Sequence, residues 1–358
     1  MAKNSIKSID ELATKIESGS FPTTIPTGIY SLDSLLNGGI DLGSKVQIVA
    51  ESSTGKSTIA LQICKNWCIR GRNVFYIDSE NSITKELLES TGCDFYTEKQ
   101  HGYGRLVILK KSSFNDVSEY LDKAISLREF SLVVIDSLAS LVNDCYVDIE
   151  NEKKDKVVKS LTNNNTNYES RPINLFINKY SALASRYKIA FLFVNQYRNK
   201  VDPLKGTVLK EYGNKIVRYN SDIIIKIKKE KEMLWETENE IYSDKPFLEA
   251  MPATHARLTF TVDKSNKVIT GTAIESYIKY GYGLDANIES VLKKIRDGDI
   301  IKSGKYYTDE NGNTYDGFIN LLNSTVERKA TDEEDESVFI DPDEDVSVFI
   351  DPDDEEYQ

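Results

Sequence analysis

Residues 50–58 constrain the fold of this chain more than any other segment. They read Ala-Glu-Ser-Ser-Thr-Gly-Lys-Ser-Thr and follow a short apolar run that ends at Val49. A turn that ends in Gly-Lys-Ser is typical of a loop whose backbone N–H groups hold phosphate oxygens at the start of a helix. The pattern therefore predicts a strand, a phosphate-binding loop and a helix in this order. Ala50 departs from it, because the pattern begins with a glycine, which accepts a positive φ freely.

The residues on both sides of the loop fit this prediction. Residues 47–50 read as a buried strand, and Ile59, Ile63 and Trp67 recur at helical spacing after the loop. In such a loop the lysine contacts the β- and γ-phosphates, and the hydroxyl after it ligates Mg²⁺. The predicted nucleotide-binding residues are Glu51, Ser52, Ser53, Thr54, Gly55, Lys56, Ser57 and Thr58. An ordinary strand-to-helix turn is the alternative.

Composition and charge narrow the classes of function. The chain has 358 residues, four cysteines and two histidines without zinc-ligand spacing, and no apolar run approaches a membrane span. The polar N-terminus lacks a secretory signal, so a cytoplasmic location is expected. The net charge of −12 is concentrated in residues 331–358, which hold 14 acidic residues and no Lys or Arg. The other 43 acidic and 45 basic residues give a body of charge +2, which permits a nucleic-acid partner.

The apolar pattern predicts four segments. Residues 1–24 read as a short helix and a linker, whereas strands alternate with helices over residues 25–283, which favours an α/β core with a mostly parallel sheet. The predicted strands are residues 47–50, 74–78, 106–109, 132–136, 190–195, 223–228 and 258–262. Residues 284–330 read as a small α+β unit with a hairpin around residues 309–313. The acidic tail 331–358 is too polar to order itself.

Three polar residues follow predicted strands and extend the chemistry of the loop. Asp136 ends an apolar run about 80 residues after the loop, where a carboxylate is expected beside Mg²⁺. Glu80 follows the strand 74–78 and can orient or deprotonate an attacking water. Gln196 follows the strand 190–195, and its amide can bind a γ-phosphate and report its loss to the next loop. Alone, the Asp136 signal is weak, since buried strands often end in Asp at a turn, and the alternative for Glu80 is an exposed loop carboxylate.

The segment after Gln196 is a candidate nucleic-acid loop. It carries Lys200, Lys205 and Lys210 between Tyr197 and Tyr212. Cationic side chains neutralise phosphates and tyrosine rings stack on bases. Arg218, further along, is a further candidate phosphate contact. A solvated basic loop capped by two tyrosines is the alternative.

In this order the motifs resemble the RecA family of DNA strand-exchange recombinases, and within it the UvsX-type recombinases of tailed phages. The resemblance covers roughly residues 20–320. The matching segments are residues 26–33, 52–58, 78–84, 135–138, 195–198, 213–214 and 262–265. It implies a RecA-like P-loop ATPase core that uses ATP and Mg²⁺. It also implies a helical filament on single-stranded DNA, which pairs with homologous duplex and exchanges strands.

The resemblance also implies roles for individual residues. The catalytic residues that it implies are Glu80, Lys56, Gln196 and Lys264, and the Mg²⁺ ligands are Ser57 and Asp136. Lys264 would contact ATP on the neighbouring subunit, so the ATPase would be complete only in a filament. DNA contacts would come from Arg171, in an expanded first loop over residues 143–172. The second loop would add Arg198, Gly213 and Asn214 to the residues above. Leu87 and Asn266 depart from the family, which often has an aromatic residue and a second bridging lysine there.

Two other functions and three roles of the tail remain open at this point. The chain could be a helicase-type motor of the same superfamily, or a DNA-binding accessory protein that does not hydrolyse ATP. The tail repeats Ser-Val-Phe-Ile-Asp-Pro-Asp at residues 337–343 and 347–353. It can cover the DNA groove electrostatically, dock a single-strand-binding or loader protein, or serve solubility alone. Phe21 is the candidate anchor for head-to-tail self-association.

Overall fold

The computed structural model describes residues 23–142, 167–202, 206–212, 214–238, 241–245 and 253–325. The predicted N-terminal helix with Phe21, most of the first predicted DNA loop, and the acidic tail lie outside the described residues. Lys205 and Gly213 also lie outside them.

Sixteen strands are formed in the described part. They are β1 (Thr24–Ile25), β2 (Ile40–Asp41), β3 (Lys45–Ala50), β4 (Asn73–Asp78), β5 (Leu106–Leu109), β6 (Phe130–Asp136), β7 (Ala190–Asp202), β8 (Gly206–Glu211), β9 (Ile223–Glu238), β10 (Ile241–Lys245), β11 (His255–Lys264), β12 (Ala273–Lys279), β13 (Gly283–Leu284), β14 (Ile301–Ser303), β15 (Tyr306–Thr308) and β16 (Thr314–Asp316). All seven strands predicted from apolar runs are among them.

Seven helices lie between the strands, and residues 318–325 are also helical. They are α1 (Tyr30–Leu35), α2 (Lys56–Ile69), α3 (Lys85–Thr91), α4 (Phe114–Leu127), α5 (Asn167–Tyr187), α6 (Asn214–Asn220) and α7 (Ala286–Asp297). Side-chain caps fix several of their starts. Thr84 accepts a hydrogen bond from Leu87 N, and Ser113 accepts one from Asp116 N, which satisfies N–H groups that a helix leaves free. None of the described helices is long and apolar enough to cross a membrane.

The central sheet has a parallel block and an antiparallel extension. Its main order is β13-β12-β11-β9-β3-β7-β6-β4-β5, and the pairs from β9 to β5 are parallel. β11 pairs antiparallel with β9, β12 pairs antiparallel with β11, and β13 pairs antiparallel with β12. The predicted α/β class with a mostly parallel core is confirmed. The predicted alternation with helices is wrong beyond Ile223, because the described chain from β9 to β13 contains strands and turns but no helix.

Two apolar layers cover the two faces of the parallel block. One layer packs α1 and α2 on the sheet and contains Trp67 and Tyr76, whereas the other packs α4 and α5 and contains Tyr180 and Phe193. Strands buried on both faces appear in the sequence as continuous apolar runs, which is why those runs were sufficient to find them.

A third apolar cluster holds the C-terminal part together. It joins α7, residues 318–325 and the small sheet β14-β15-β16 with Trp235 and Tyr242 of the β9–β10 hairpin. β15 and β16 pair across residues 309–313, as the sequence predicted. The first predicted DNA loop is wrong for residues 167–172, which are the first residues of α5.

Candidate nucleotide site and nucleic-acid hairpin

The predicted phosphate-binding loop lies between β3 and α2, as its pattern requires. Gly55 caps α2 in a left-handed conformation with φ 87°, and a Cβ there would lie 2.2 Å from Ile278 Cδ1. Ala50 is the last residue of β3 and is completely buried in the apolar core. Its backbone pairs with Gln196 of β7 and Ile227 of β9. Ala50 therefore occupies a strand position with no need of a positive φ, and its methyl group contributes to packing.

Lys56 is the buried cation of the loop. Its side chain is 6% exposed, and Nζ donates a hydrogen bond to the Glu51 carbonyl at 2.6 Å. Burial lowers the pKa of Lys56, and the carboxylates of Asp136, Glu80 and Glu51 oppose that shift. A bound phosphate would add negative charge beside this desolvated ammonium and favour its charged form.

Asp136 and Ser57 form a second part of the site. Asp136 ends β6 and is 2% exposed; it accepts hydrogen bonds from Ser57 and from the buried Tyr76 hydroxyl, the latter at 2.6 Å. Burial raises the pKa of Asp136, whereas these two hydrogen bonds lower it. The pair presents a hydroxyl and a carboxylate oxygen side by side, which are the ligand types that Mg²⁺ prefers. The donor set therefore fits the metal that the sequence predicted.

Glu80 and Gln196 are joined to the loop by a chain of hydrogen bonds. Gln196 Nε2 donates to Glu80 Oε1 at 2.5 Å, and Ser52 Oγ of the loop donates to Gln196 Oε1 at 3.2 Å. Glu80 Oε1 also accepts from Ser137 Oγ at 2.6 Å and from Ser140 Oγ at 2.9 Å. The structure thus brings Lys56, Ser57, Glu80, Asp136 and Gln196 to one edge of the sheet.

Lys264 lies at the opposite edge of the sheet. It pairs with Ile224 near the start of β9, and its Nζ donates to the carbonyls of Arg218 at 2.8 Å and Ser221 at 2.6 Å. These carbonyls end α6, so the lysine caps a helix C-terminus. Ile224 is level with Gln47 of β3, which lies three residues before Ala50, or about 10 Å along the strand at 3.3 Å per residue. The Ser221 carbonyl that Lys264 contacts precedes β9. Within one chain, Lys264 is therefore far from the phosphate-binding loop.

The basic segment after Gln196 is an antiparallel hairpin made by β7 and β8. Its register pairs Tyr197 with Glu211 and Arg198 with Lys210. Tyr197 is half-buried, and Tyr212 is partly buried against the apolar layer of α4 and α5. The base of the hairpin is fixed by Asn195 Nδ2, which donates to the Tyr212 carbonyl at 2.8 Å. The placement of Tyr212 matches the alternative of a capping tyrosine. The side chains of Arg171, Arg198, Lys200, Lys210 and Asn214 lie outside what the structure describes.

Arg218 is engaged by an acidic partner. It forms an ion pair with Asp263, which raises the pKa of Arg218. Asp263 also pairs with Lys226 at 2.9 Å. Arg218 is therefore part of a charge network between α6, β9 and β11, where the sequence suggested a phosphate contact.

Residue types alone did not indicate several members of the site. Ser137, Ser140 and Tyr76 contact the two carboxylates, yet serines and a buried tyrosine are common in any strand or turn. A cavity of about 710 Å³ beside the loop is lined by Tyr197 and by lysines of β9. The sequence feature that could have indicated this cavity is the run Ile-Lys-Ile-Lys over residues 225–228. There, lysines begin to alternate with the apolar residues of a buried strand, so one face of the strand becomes charged.

The order of the strands, the phosphate-binding loop and the two carboxylates beside it define the class of protein. It is a P-loop ATPase in which the edge of the sheet with the nucleotide site lies beside a basic hairpin. The family model for the RecA N-terminal domain matches residues 3–246. Protein RecA of Lactobacillus delbrueckii subsp. bulgaricus is 26% identical over 288 residues, which cover 80% of this chain and 77% of the relative. Protein RecA of Streptomyces coelicolor is 24% identical over 300 residues, 84% of this chain and 72% of the relative.

The chain belongs to the RecA family. The predicted activity of a DNA-dependent ATPase and recombinase is confirmed at the level of this family, whose members use ATP, bind DNA and form filaments. The finer resemblance to UvsX-type phage recombinases stays a prediction.

Proposed function

We propose that this chain hydrolyses ATP·Mg²⁺ at the edge of the sheet that carries residues 50–58, and that it uses the nucleotide to control a filament on single-stranded DNA. The observation that carries the proposal is the contact chain from Ser52 through Gln196 to Glu80. It connects the loop, the γ-phosphate sensor and the candidate base in one network. Gln196 also lies directly before the part of β7 that pairs with β8, so a change at its amide would pass directly into the hairpin.

Each residue has a distinct role in this proposal. Lys56 would bind the β- and γ-phosphates, and Ser57 and Asp136 would hold Mg²⁺, which neutralises phosphate charge when bound. Glu80 would orient and deprotonate the attacking water. Gln196 would turn its amide to the γ-phosphate, releasing Glu80 for that task. Tyr197 and the basic positions of the hairpin would contact the DNA strand.

The position of Lys264 supports a site completed between subunits. Because this lysine lies at the edge opposite the loop, it can contact ATP only on another copy of the chain. A contact that joins opposite edges of two copies is head-to-tail, and it builds an open helix when its rotation does not close into a ring. To form this contact, Lys264 would have to leave the carbonyls at the end of α6 and bind a phosphate of the neighbouring subunit's ATP. The capping of α6 would then change when subunits assemble.

The acidic tail is proposed to modulate access to DNA or to dock a single-strand-binding or loader protein. The UvsX-like resemblance would place the protein in the cytoplasm of a bacterial host.

Strand exchange and ATP turnover test the proposal together. Lys56→Ala and Glu80→Gln should each reduce DNA-stimulated turnover by at least 100-fold, while Lys123→Ala, an exposed lysine of α4 paired with Glu119, should match the unsubstituted chain. Strand exchange should require ATP. Unchanged turnover in Lys56→Ala would overturn the site assignment.

Electron microscopy separates the proposed recombinase from a helicase-type motor. With single-stranded DNA and a slowly hydrolysed ATP analogue, open helical filaments are expected. Closed rings without strand exchange would support the motor, and DNA binding without any turnover would support the accessory protein.

A further inference from the structure

We propose that Ser140 is a positioning residue for Glu80 in ATP hydrolysis. The inference rests on the proposed role of Glu80 as the residue that activates water. Ser140 Oγ lies 2.9 Å from Glu80 Oε1 and 3.1 Å from Ser137 Oγ, which itself donates to the same carboxylate oxygen at 2.6 Å. Two hydroxyl groups on one short turn therefore hold one oxygen of the candidate base.

The turn that carries the two serines is fixed to the sheet. It is the 3₁₀ segment Leu138–Ser140 directly after β6, and Ser140 N donates to the Ser137 carbonyl at 3.2 Å. Ser79 Oγ donates to the same carbonyl at 2.7 Å, and Leu138 is fully buried. The hydroxyl groups are thus positioned by rigid backbone, as precise catalytic geometry requires.

The third donor to Glu80 is of a different kind. Gln196 Nε2 contacts Glu80 Oε1, but in the proposed function this amide turns to the γ-phosphate. When it does, only Ser137 and Ser140 remain on Oε1. They would then hold the carboxylate in place and leave its second oxygen, Oε2, to accept the proton of the attacking water.

Ser140 is the better of the two serines for a test. Ser137 is completely buried and adjacent to Asp136, so its replacement would disturb the Mg²⁺ ligand as well. Ser140 is partly exposed at the end of the turn, so Ser140→Ala removes a hydroxyl without opening a core cavity. Ser140→Thr retains the hydroxyl. Ser126→Ala is the matched control, because among the described residues that hydroxyl donates to the Asp122 carbonyl within α4, away from Glu80.

The expected result is a change in kcat alone. Ser140→Ala should lower the kcat of DNA-stimulated ATP hydrolysis about tenfold, the scale of one hydrogen bond to a charged group, with KM for ATP within about twofold. Ser140→Thr should recover most of the activity, and Ser126→Ala should be unchanged. Filaments formed with a slowly hydrolysed ATP analogue should be the same for all variants.

A double-mutant cycle with Glu80→Gln separates positioning from folding. If Ser140 acts through Glu80, Ser140→Ala should cause no further loss of kcat in the Glu80→Gln background. An equal tenfold loss in both backgrounds, an unchanged kcat in Ser140→Ala alone, or a raised kcat would overturn the role of Ser140. Full turnover in Glu80→Gln would overturn the assignment of Glu80 and the inference with it.

Discussion

At the scale of single residues, Ala50 shows how one side chain can depart from a motif without disturbing it. The motif has glycine here, but in this chain the position is the last residue of a buried strand. Ala50→Gly should therefore lower the melting temperature by a few degrees, since glycine in a strand costs roughly 0.5–1 kcal/mol relative to alanine. KM for ATP and kcat should stay within about twofold. A severalfold rise in kcat would show that the methyl group limits turnover after all.

Gly55 is the opposite case, a glycine that both backbone and packing require. Gly55→Ala should lower the melting temperature and weaken nucleotide binding, because it adds strain at φ 87° and forces Ile278 to move. Gly102→Ala is the matched control: its φ is 80°, but a Cβ there meets no atom within 4 Å. Both variants carry the backbone penalty, so thermal unfolding should show a larger loss for Gly55→Ala. Equal decreases in melting temperature for the two variants would mean that the contact with Ile278 does not contribute to the destabilisation.

At the scale of elements, the β7–β8 hairpin follows Gln196 of the candidate nucleotide site and is the proposed contact with DNA. Its backbone register pairs Arg198 with Lys210, and both are cationic residue types, so these two positions are the ones to test for a contact with phosphate. Arg198→Ala with Lys210→Ala should weaken binding to single-stranded DNA and reduce the dependence of log K on log salt by about one to two units. Binding measured across salt concentrations checks this, with Lys123→Ala as the control for net charge. An unchanged salt slope would remove these two positions from the DNA contact.

The junction of β11 with the β9–β10 hairpin should make stability depend on pH. His255 is completely buried between Trp235 and Tyr242, and burial lowers its pKa to about 4, with Asp285 opposing and Lys279 adding to the shift. In the unfolded chain the pKa of this histidine is near 6.5, so between pH 6.5 and 4 the unfolded chain binds a proton that the folded chain does not bind. This contribution, at most about 3 kcal/mol, is present above pH 6.5 and lost as the pH falls towards 4.

Urea unfolding at several pH values measures this dependence. His255→Gln should flatten the free energy of unfolding between pH 6.5 and 4 relative to the unsubstituted chain. His101→Gln, which removes the only other imidazole from an exposed position, should leave the profile unchanged. An unaltered slope in His255→Gln would assign the acid sensitivity to carboxylates instead.

The elements also show what the sequence could and could not predict. The strands buried on both faces were all predicted, because a continuous apolar run such as residues 132–136 is typical of a buried strand. β7 and β9 extend well beyond their predicted ends, to Asp202 and Glu238, because their outer halves pair with β8 and β10 in hairpins. Lys56, Asp136, Glu80 and Gln196 each follow a strand, so the sheet predicts their meeting. The contacts of Ser140 and Lys264 depend on a turn and a helix end, whose positions no spacing in the sequence reveals.

At the scale of the whole molecule, the two ends of the parallel strands carry different functional residues. One edge carries the candidate nucleotide residues and the base of the β7–β8 hairpin, and the other carries Lys264 of β11, which contacts the end of α6. Copies that meet edge to edge would form a polymer in which each ATP has ligands from two subunits. Such an arrangement makes hydrolysis a property of the assembly, and DNA that orders the assembly would then stimulate it.

The uneven charge of the molecule leads to a prediction for residues 331–358. They carry 14 of the 57 acidic residues and leave a body of charge +2, and we propose that the tail competes with DNA for the basic surface of that body. Truncation after Ala330 should tighten binding to single-stranded DNA severalfold at low salt and much less at high salt, where charge is screened beyond about 10 Å. Binding isotherms of the full and truncated chains across salt concentrations measure this difference.

Two variants of the tail distinguish an electrostatic effect on DNA binding from docking of a partner protein. A tail of equal length with Asn and Gln in place of its acidic residues should behave like the truncation. Phe339→Ala with Phe349→Ala retains every charge, so it should bind DNA like the full chain if the tail acts by charge alone. Because mere charge would not need a repeated Val-Phe-Ile, this double variant is expected to lose instead the capture of an added single-strand-binding protein. Equal DNA affinity for the full and truncated chains at every salt concentration would exclude the electrostatic role and leave docking or solubility for the tail.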